Sequence, residues 1–482
     1  MVSIVTGRRR WFVLAVLATA QFMVVLDGTI ANVALPSIQR HLGFTVTGLG
    51  WVMNAYILAF GGFMLLGGRI ADLVGRRRIF LLGLFVFALA SLLAGFSPDR
   101  TDLIAARAGQ GIGAALLSPA ALSILTTIFE AGHERNTALG IWGALAGLGG
   151  TLGVILGGVL VNSFGWGSVF FVNVPIALVA LGFALRMVPE SLMDGNRNLD
   201  VGGAITATFG ALILVYGIVG TNQYGWISYR TDGLLIASAI LFIAFILIER
   251  RTANPLVPMR LFRSRAIATA NVAQLFTGAL FISMFFLATL SMQNVLGYSA
   301  LRTGFAFVPM GISAIVSATV SSEFTTRFGS KRIFSLGTVV AGTGLWLLSH
   351  IDPGGSYLTE VLPGLIVFGV GLPMCFVSST IASQSGVTIA DAGASSGLVN
   401  AVGQIGSSIG LAVVVTVASA RSAHLRLAGG SALWSFARGF NLSYIVLVGI
   451  AGVSLLFALT VFPNVRPLIK SNLPLGEAYE AI

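Results

Sequence analysis

Residues 11–36 read WFVLAVLATAQFMVVLDGTIANVALP, an apolar run broken by a single acid, Asp27. A helix of about 20 such residues crosses a bilayer core roughly 30 Å thick, so the stretch reads as a membrane span. It follows Gly7-Arg8-Arg9-Arg10 and is too long for the apolar core of a cleaved leader, so it is expected to stay as the first span. Runs of this kind recur almost to Pro463. Of the 482 residues, 56% are hydrophobic and 9% charged, whereas a soluble domain carries about 25% charged residues. An ordinary soluble protein is excluded. The runs lack two-residue alternation and are far longer than barrel strands of about 10 residues, so the spans are helices.

Hydropathy places six spans near 11–36, 47–66, 79–97, 102–127, 137–162 and 169–188, then two near 201–220 and 232–249. Six more follow near 266–291, 303–324, 332–349, 358–382, 394–419 and 440–462. The expected architecture is all-α, fourteen transmembrane helices arranged as 6 + 2 + 6. Residues 11–188 form one bundle, 189–265 a linker with two additional helices standing apart from both bundles, 266–462 the second bundle, and 463–482 a tail.

Of 28 Lys and Arg, seven (Arg40, Arg100, Arg230, Arg302, Arg421, Arg426 and Arg438) fall on the side opposite the termini, and Arg107 lies within a span. The rest share the side of both termini, which the positive-inside bias makes cytoplasmic. The net charge of +11 is thus an orientation signal, and no nucleic acid is implied. Glycine numbers 60 of 482, about 12% against a usual 7%. Small residues let membrane helices approach closely and slide, or simply pack.

Other classes lack their chemistry. The single cysteine, Cys375, builds no metal cage, and His41, His133, His350 and His424 lie in connectors or at span ends without pairing. No metal or cofactor is expected, and an enzyme's nucleophile with its base is missing. A nucleotide-driven pump needs a Gly-Lys-Ser/Thr phosphate loop, and neither Lys331 nor Lys470 follows glycine. No repeated ring suggests a channel filter.

Four stretches then carry a family resemblance. Gly67-Gly68-Arg69-Ile70-Ala71-Asp72-Leu73-Val74-Gly75-Arg76-Arg77-Arg78 resembles the loop motif of the major facilitator superfamily, with a degenerate copy at Arg327-Phe328-Gly329-Ser330-Lys331-Arg332. Span 4, Leu103-Ile104-Ala105-Ala106-Arg107-Ala108-Gly109-Gln110-Gly111, is similar to the superfamily motif linked to proton transfer. Leu26-Asp27-Gly28-Thr29-Ile30-Ala31-Asn32-Val33-Ala34-Leu35-Pro36 looks like the first-span motif of the fourteen-helix drug:proton antiporters. Gly149, Gly153, Gly157 and Gly158 have the spacing of the antiporter motif, although Val154 stands where the family usually has proline, which removes a built-in kink. Val169-Phe170-Phe171-Val172-Asn173-Val174-Pro175 and Asn254-Pro255-Leu256-Val257-Pro258-Met259-Arg260-Leu261-Phe262 also fit that family, the first as an interfacial turn and the second as a linker.

The resemblance implies a proton-coupled multidrug exporter of hydrophobic or cationic amphiphiles, or a dedicated exporter of a lipid or metabolite, in a bacterial inner membrane. It further implies that Gly68, Asp72, Gly75 and Arg76 form a latch between the bundles. At 1.5 Å per residue Asp27 lies about 13 Å from Pro36 and Arg107 about 8 Å from Asp102, so the two sit at similar depth. Burial opposes the charge on an acid and a nearby cation favours it, so Asp27 beside Arg107 suits proton coupling, or else a static ion pair. Glu323 is a second protonation candidate, or a surface acid paired locally. Asn32, Gln110, Trp142, Gln274, Asn400 and Gln404 are candidate substrate contacts, each Asn or Gln equally an interhelical hydrogen-bonding group. The expected partners are a small-molecule substrate, protons and membrane lipids, with the monomer as the working unit.

Overall fold

The computed structural model describes residues 8–129, 133–190, 200–225, 227–252, 255, 257, 259–385 and 392–465. Within them the chain is helical with no strand. The first half comprises α1 (Arg8–Leu42), α2 (Val46–Val74), α3 (Arg76–Gly95), α4 (Arg100–Ile128), α5 (His133–Phe164), the short α6 (Ser168–Phe171) and α7 (Asn173–Met187). A hairpin of α8 (Val201–Tyr224) and α9 (Tyr229–Arg251) follows. The second half holds α10 (Arg265–Leu290), α11 (Ala300–Ala306), α12 (Val308–Phe328), α13 (Ser330–Leu348), α14 (Leu362–Ser383), α15 (Ala392–Leu427) and α16 (Ala432–Thr460).

Twelve helices among the described residues are long and apolar enough to cross a membrane. The sequence leads one to expect fourteen. The two expected spans outside that set fall on α5 and α13, which are helical over 32 and 19 residues. Most of the expected tail lies outside the described residues, as do 191–199 of the linker and Asn254, Leu256 and Pro258 of its second segment.

Local chemistry sets the helix ends. Asp99 accepts from the amides of Thr101 and Asp102 at 2.8 and 2.9 Å to start α4, satisfying donors that a helix leaves unpaired at its first turn. Ser299 and Ser431 do the same for α11 and α16. Between α2 and α3 the chain turns on one residue, Gly75, and between α12 and α13 on Gly329, with φ of +126° and +90°, where a side chain is strained. Each turn is covered by a polar side chain that follows the last helix of its own half, Glu190 over Gly75 and Asn464 over Gly329. The loop and its degenerate copy thus occupy matching places.

The halves meet along two seams. In one, α2 packs antiparallel to α15, with Gly50 against Val415, Gly61 under Gln404, and Thr47 Oγ1 3.0 Å from Ser419 Oγ. In the other, α5 meets α11, and Gly158 lies under the backbone of Ala300 while Gly304 lies under that of Val154. Gln293 Nε2 also donates to the Val33 carbonyl at 3.0 Å. Thr47–Ser419 and Gln293–Val33 stand in the part of the helices away from the two chain ends. The α8–α9 hairpin does not stand apart: α8 packs on both α2 and α15. Leu58, Val215, Ile218 and Ala412 share one buried cluster there, and Thr208 Oγ1 donates to the Gly62 carbonyl at 2.6 Å. Outward-facing apolar side chains such as Phe85, Leu178, Ile240 and Leu456 are exposed, as lipid-facing surfaces require.

Candidate functional site

Asp27 and Arg107 carry opposite charges in the middle of the first half, both fully buried. Arg107 Nη1 lies 2.5 Å from Asp27 Oδ2. The other carboxylate oxygen, Oδ1, accepts from Gln110 Nε2 at 2.9 Å and from Asn173 Nδ2 at 2.8 Å. Gln110, one helical turn beyond Arg107, also accepts from Arg107 Nη1 at 2.9 Å and donates to Ser91 Oγ at 2.8 Å. Arg107 Nε donates to the Val52 carbonyl at 2.9 Å, and its guanidinium lies 4.3 Å over the Tyr56 ring. Tyr56 is itself tied to the Val24 carbonyl at 3.1 Å. Helices α4 and α7 therefore bond the carboxylate directly, and α2 and α3 join the network through Arg107 and Gln110. Two buried polar atoms in this shell, Arg107 Nη2 and Asn173 Oδ1, have no hydrogen-bond partner among the described residues.

Burial of a charge without such partners is prohibitive in a membrane, and the network supplies Asp27 with them. Asp27 and Arg107 meet in the structure, and four further residues join them. Gln110, read as a substrate contact, is bonded to the carboxylate. Asn173, read as part of an interfacial turn without chemistry, donates to it. Nothing in the sequence marks Ser91 and Tyr56, because lone Ser and Tyr residues carry no signal in an apolar helix.

Glycine spacing places α5 on α1. A Cβ at Gly149, Gly153 or Gly157 would strike the backbone or side chains of α1 between Phe22 and Val33, with Gly153 directly under Thr29. Gly158 faces the other half. Helix α5 runs unbroken through Val154, as expected when proline is absent.

The remaining candidates are scattered. Asn32 Nδ2 bonds to the Gly28 carbonyl in its own helix at 3.0 Å. Gln274 Oε1 accepts from Ser379 Oγ at 2.8 Å, beside Gly403, and Gln404 covers Gly61. Asn400 is exposed on α15, and Trp142 is half-buried on α5. Glu323 is exposed on α12; among the described residues no ion pair joins it. In the basic loop, Arg76 Nη1 donates to Thr127 Oγ1 and Arg77 Nη2 to the Leu185 carbonyl, while Arg78 pairs with Glu190 at 3.6 Å. These bonds are made within the first half. Gly68 packs on Pro119, and the side chain of Asp72 lies outside the described residues. Among the described residues no group of three or more His, Cys, Asp or Glu is placed to hold a metal ion.

The structure is thus an all-helical membrane protein of two packed halves, with a buried acid–guanidinium network in one of them. The family model of the Major Facilitator Superfamily matches residues 17–411, and the chain belongs to that superfamily. The cephamycin export protein CmcT of Amycolatopsis lactamdurans is 40% identical over 408 residues, which is 84% of this chain and 84% of that one. The puromycin resistance protein pur8 of Streptomyces alboniger is 36% identical over 455 residues, 93% of this chain and 90% of its own. A bacterial homologue of the human lysosomal transporter Spinster, solved inward-facing and unoccupied, superposes with a TM-score of 0.69 at 18% identity, covering 94% of this chain and 97% of that one. The protein is thus a multi-pass membrane transporter of small molecules and not an enzyme.

Proposed function

We propose that this chain is a proton-coupled efflux carrier of the fourteen-helix drug:proton antiporter kind, working by alternating access. The observation that carries this reading is the Asp27–Arg107–Gln110–Asn173 network, in which one buried carboxylate ties α1 to two other helices, α4 and α7. Protonation removes the charge that Arg107 answers. The pair then weakens, and α1 is freed from α4 and α7 to slide along the glycine face of α5. A carrier built this way exchanges a proton for a substrate, because the state that releases the proton is the one that binds cargo.

On this reading α5 and α13 are the thirteenth and fourteenth spans, giving 6 + 2 + 6 with the domain limits 11–188, 189–265 and 266–462. Both termini are cytoplasmic in a bacterial inner membrane, and the monomer is the working unit. Gly68, Asp72, Gly75 and Arg76 latch the halves when the cytoplasmic side closes. Trp142, Gln274, Asn400 and Gln404 contribute to the cargo path together with Asn32, and Glu323 is a secondary proton site. The cargo is a hydrophobic or cationic amphiphile. A second reading, a dedicated exporter of one metabolite, is favoured by relatives named each for a single antibiotic.

Proteoliposomes containing a pH-sensitive dye test the coupling. Addition of ethidium to wild-type vesicles is expected to move protons down an imposed gradient, and Asp27→Asn is expected to abolish the response. Proton movement of equal size in Asp27→Asn defeats the assignment. A silent wild type that still moves a cephalosporin or puromycin selects the dedicated exporter.

A further inference from the structure

At the end of the molecule away from the termini, the last turns of α8 and the first turns of α9 and α2 enclose a cleft of about 510 Å³. It is lined by Thr45, Thr47, Trp51, Tyr216, Tyr224 and Arg230 among others, with no carboxylate in its wall. Arg230 Nη1 donates to the Tyr224 hydroxyl at 2.7 Å and Nη2 to the Tyr216 hydroxyl at 3.1 Å. Its guanidinium lies 4.3 Å over the Tyr224 ring. Tyr216 in turn packs 5.9 Å from Trp51.

The arrangement is unusual for a residue that only marks topology. A phenol oxygen that accepts from a guanidinium keeps its own proton free to donate. Arg230 and the two tyrosines therefore present a fixed positive charge and two spare O–H donors toward one space. No carboxylate comes within ion-pair distance of Arg230 among the described residues; Asp232, two residues on, is exposed. The cleft lies at the ends of the spans α8, α9 and α2, and the ends of spans stand at the depth of lipid headgroups. Its apolar wall is Trp51 and Leu234, and Ile227 and Tyr229 beside it are fully open.

We propose that this cleft binds the anionic phosphate of a membrane phospholipid, held by Arg230, Tyr216 and Tyr224, with the acyl chains lying along Trp51 and Leu234. A free phosphate shares the headgroup chemistry, but it has no use for the apolar wall. The site is separate from the Asp27 network, and it stands whether or not the transport reading does.

Native mass spectrometry of the full chain, released from vesicles of phosphatidylglycerol and phosphatidylcholine, tests it. Wild type is expected to retain one phosphatidylglycerol that Arg230→Gln loses, with affinity about tenfold weaker for the loss of a charged pairing. The Tyr216→Phe/Tyr224→Phe double variant is expected to fall between them and keeps the test valid if the Arg230 variant folds poorly. Equal phosphatidylglycerol retention in wild type and Arg230→Gln, or a parallel loss of phosphatidylcholine, overturns the proposal. Inorganic phosphate that stabilises the lipid-free detergent-solubilised wild type but not Arg230→Gln would also overturn it, by making the site one for a soluble anion.

Discussion

Asn173, at the first turn of α7, donates to Asp27 Oδ1 across a distance of 2.8 Å, sharing that oxygen with Gln110. The bond ties the last helix of the first half to the middle of its first helix. Hydrogen bonds to a charged group are worth about 1.5–3 kcal/mol each, so Asn173 is a positioning residue for the carboxylate. Asn173→Ala is expected to leave the carrier folded, to slow ethidium-driven proton movement about tenfold, and to shift the pH profile of transport. A change in expression level with an unchanged pH profile would mark a purely structural bond.

Removing one partner of the buried pair leaves the other charge uncompensated. Arg107→Leu is expected to destabilise the protein by about 3–5 kcal/mol, read as loss of the folded peak in detergent at elevated temperature. The double variant Asp27→Asn/Arg107→Leu is expected to recover part of that loss. Additive losses in the double-mutant cycle would show that the two side chains do not interact.

Neighbouring glycines on α5 make an internal control. A Cβ at Gly150 meets nothing within 4 Å, whereas at Gly153 it would strike Thr29. Gly150→Ala is expected to change stability by less than about 0.5 kcal/mol. Gly153→Ala is expected to cost about 1–3 kcal/mol through overpacking and to abolish transport. Equal tolerance at both positions, measured by thermal unfolding and efflux, would separate α5 from α1.

The seam bond between Thr47 and Ser419 offers a direct probe of motion. With Cys375 replaced by serine, Thr47→Cys/Ser419→Cys is expected to form a disulfide on mild oxidation, because the hydroxyl oxygens stand 3.0 Å apart. Transport is expected to stop on oxidation and to return on reduction. Full transport in the cross-linked protein would mean that this end of the halves never separates.

Membrane class, helical content and the depth match of Asp27 with Arg107 were legible because a bilayer imposes them: span length follows from thickness, and a buried charge demands an answering one. The rest of the network was not. Asn173 sits in a Phe-Phe-Val-Asn-Val-Pro turn and looks like an ordinary helix entry, and Gln110 looks like a cargo contact until its neighbours in space are known. The position of α8 was equally hidden, since a helix apolar on every face shows no side that marks its contacts. Helix α13 falls short of the hydropathy expected of a span for a physical reason: it opens with Ser330-Lys331-Arg332 and carries five glycines and threonines between Gly337 and Gly344, and a packed interior tolerates these better than lipid does.

The α8–α9 hairpin lies over the α2–α15 seam and binds both of its sides. The opposite seam, between α5 and α11, carries no such cover among the described residues. In the plane of the bilayer the molecule is therefore lopsided, with one flank splinted and the other bare. On the first flank the halves cannot part without α8 leaving one of them, whereas on the second they part at the contacts of Gly158 and Gly304 with the backbone opposite.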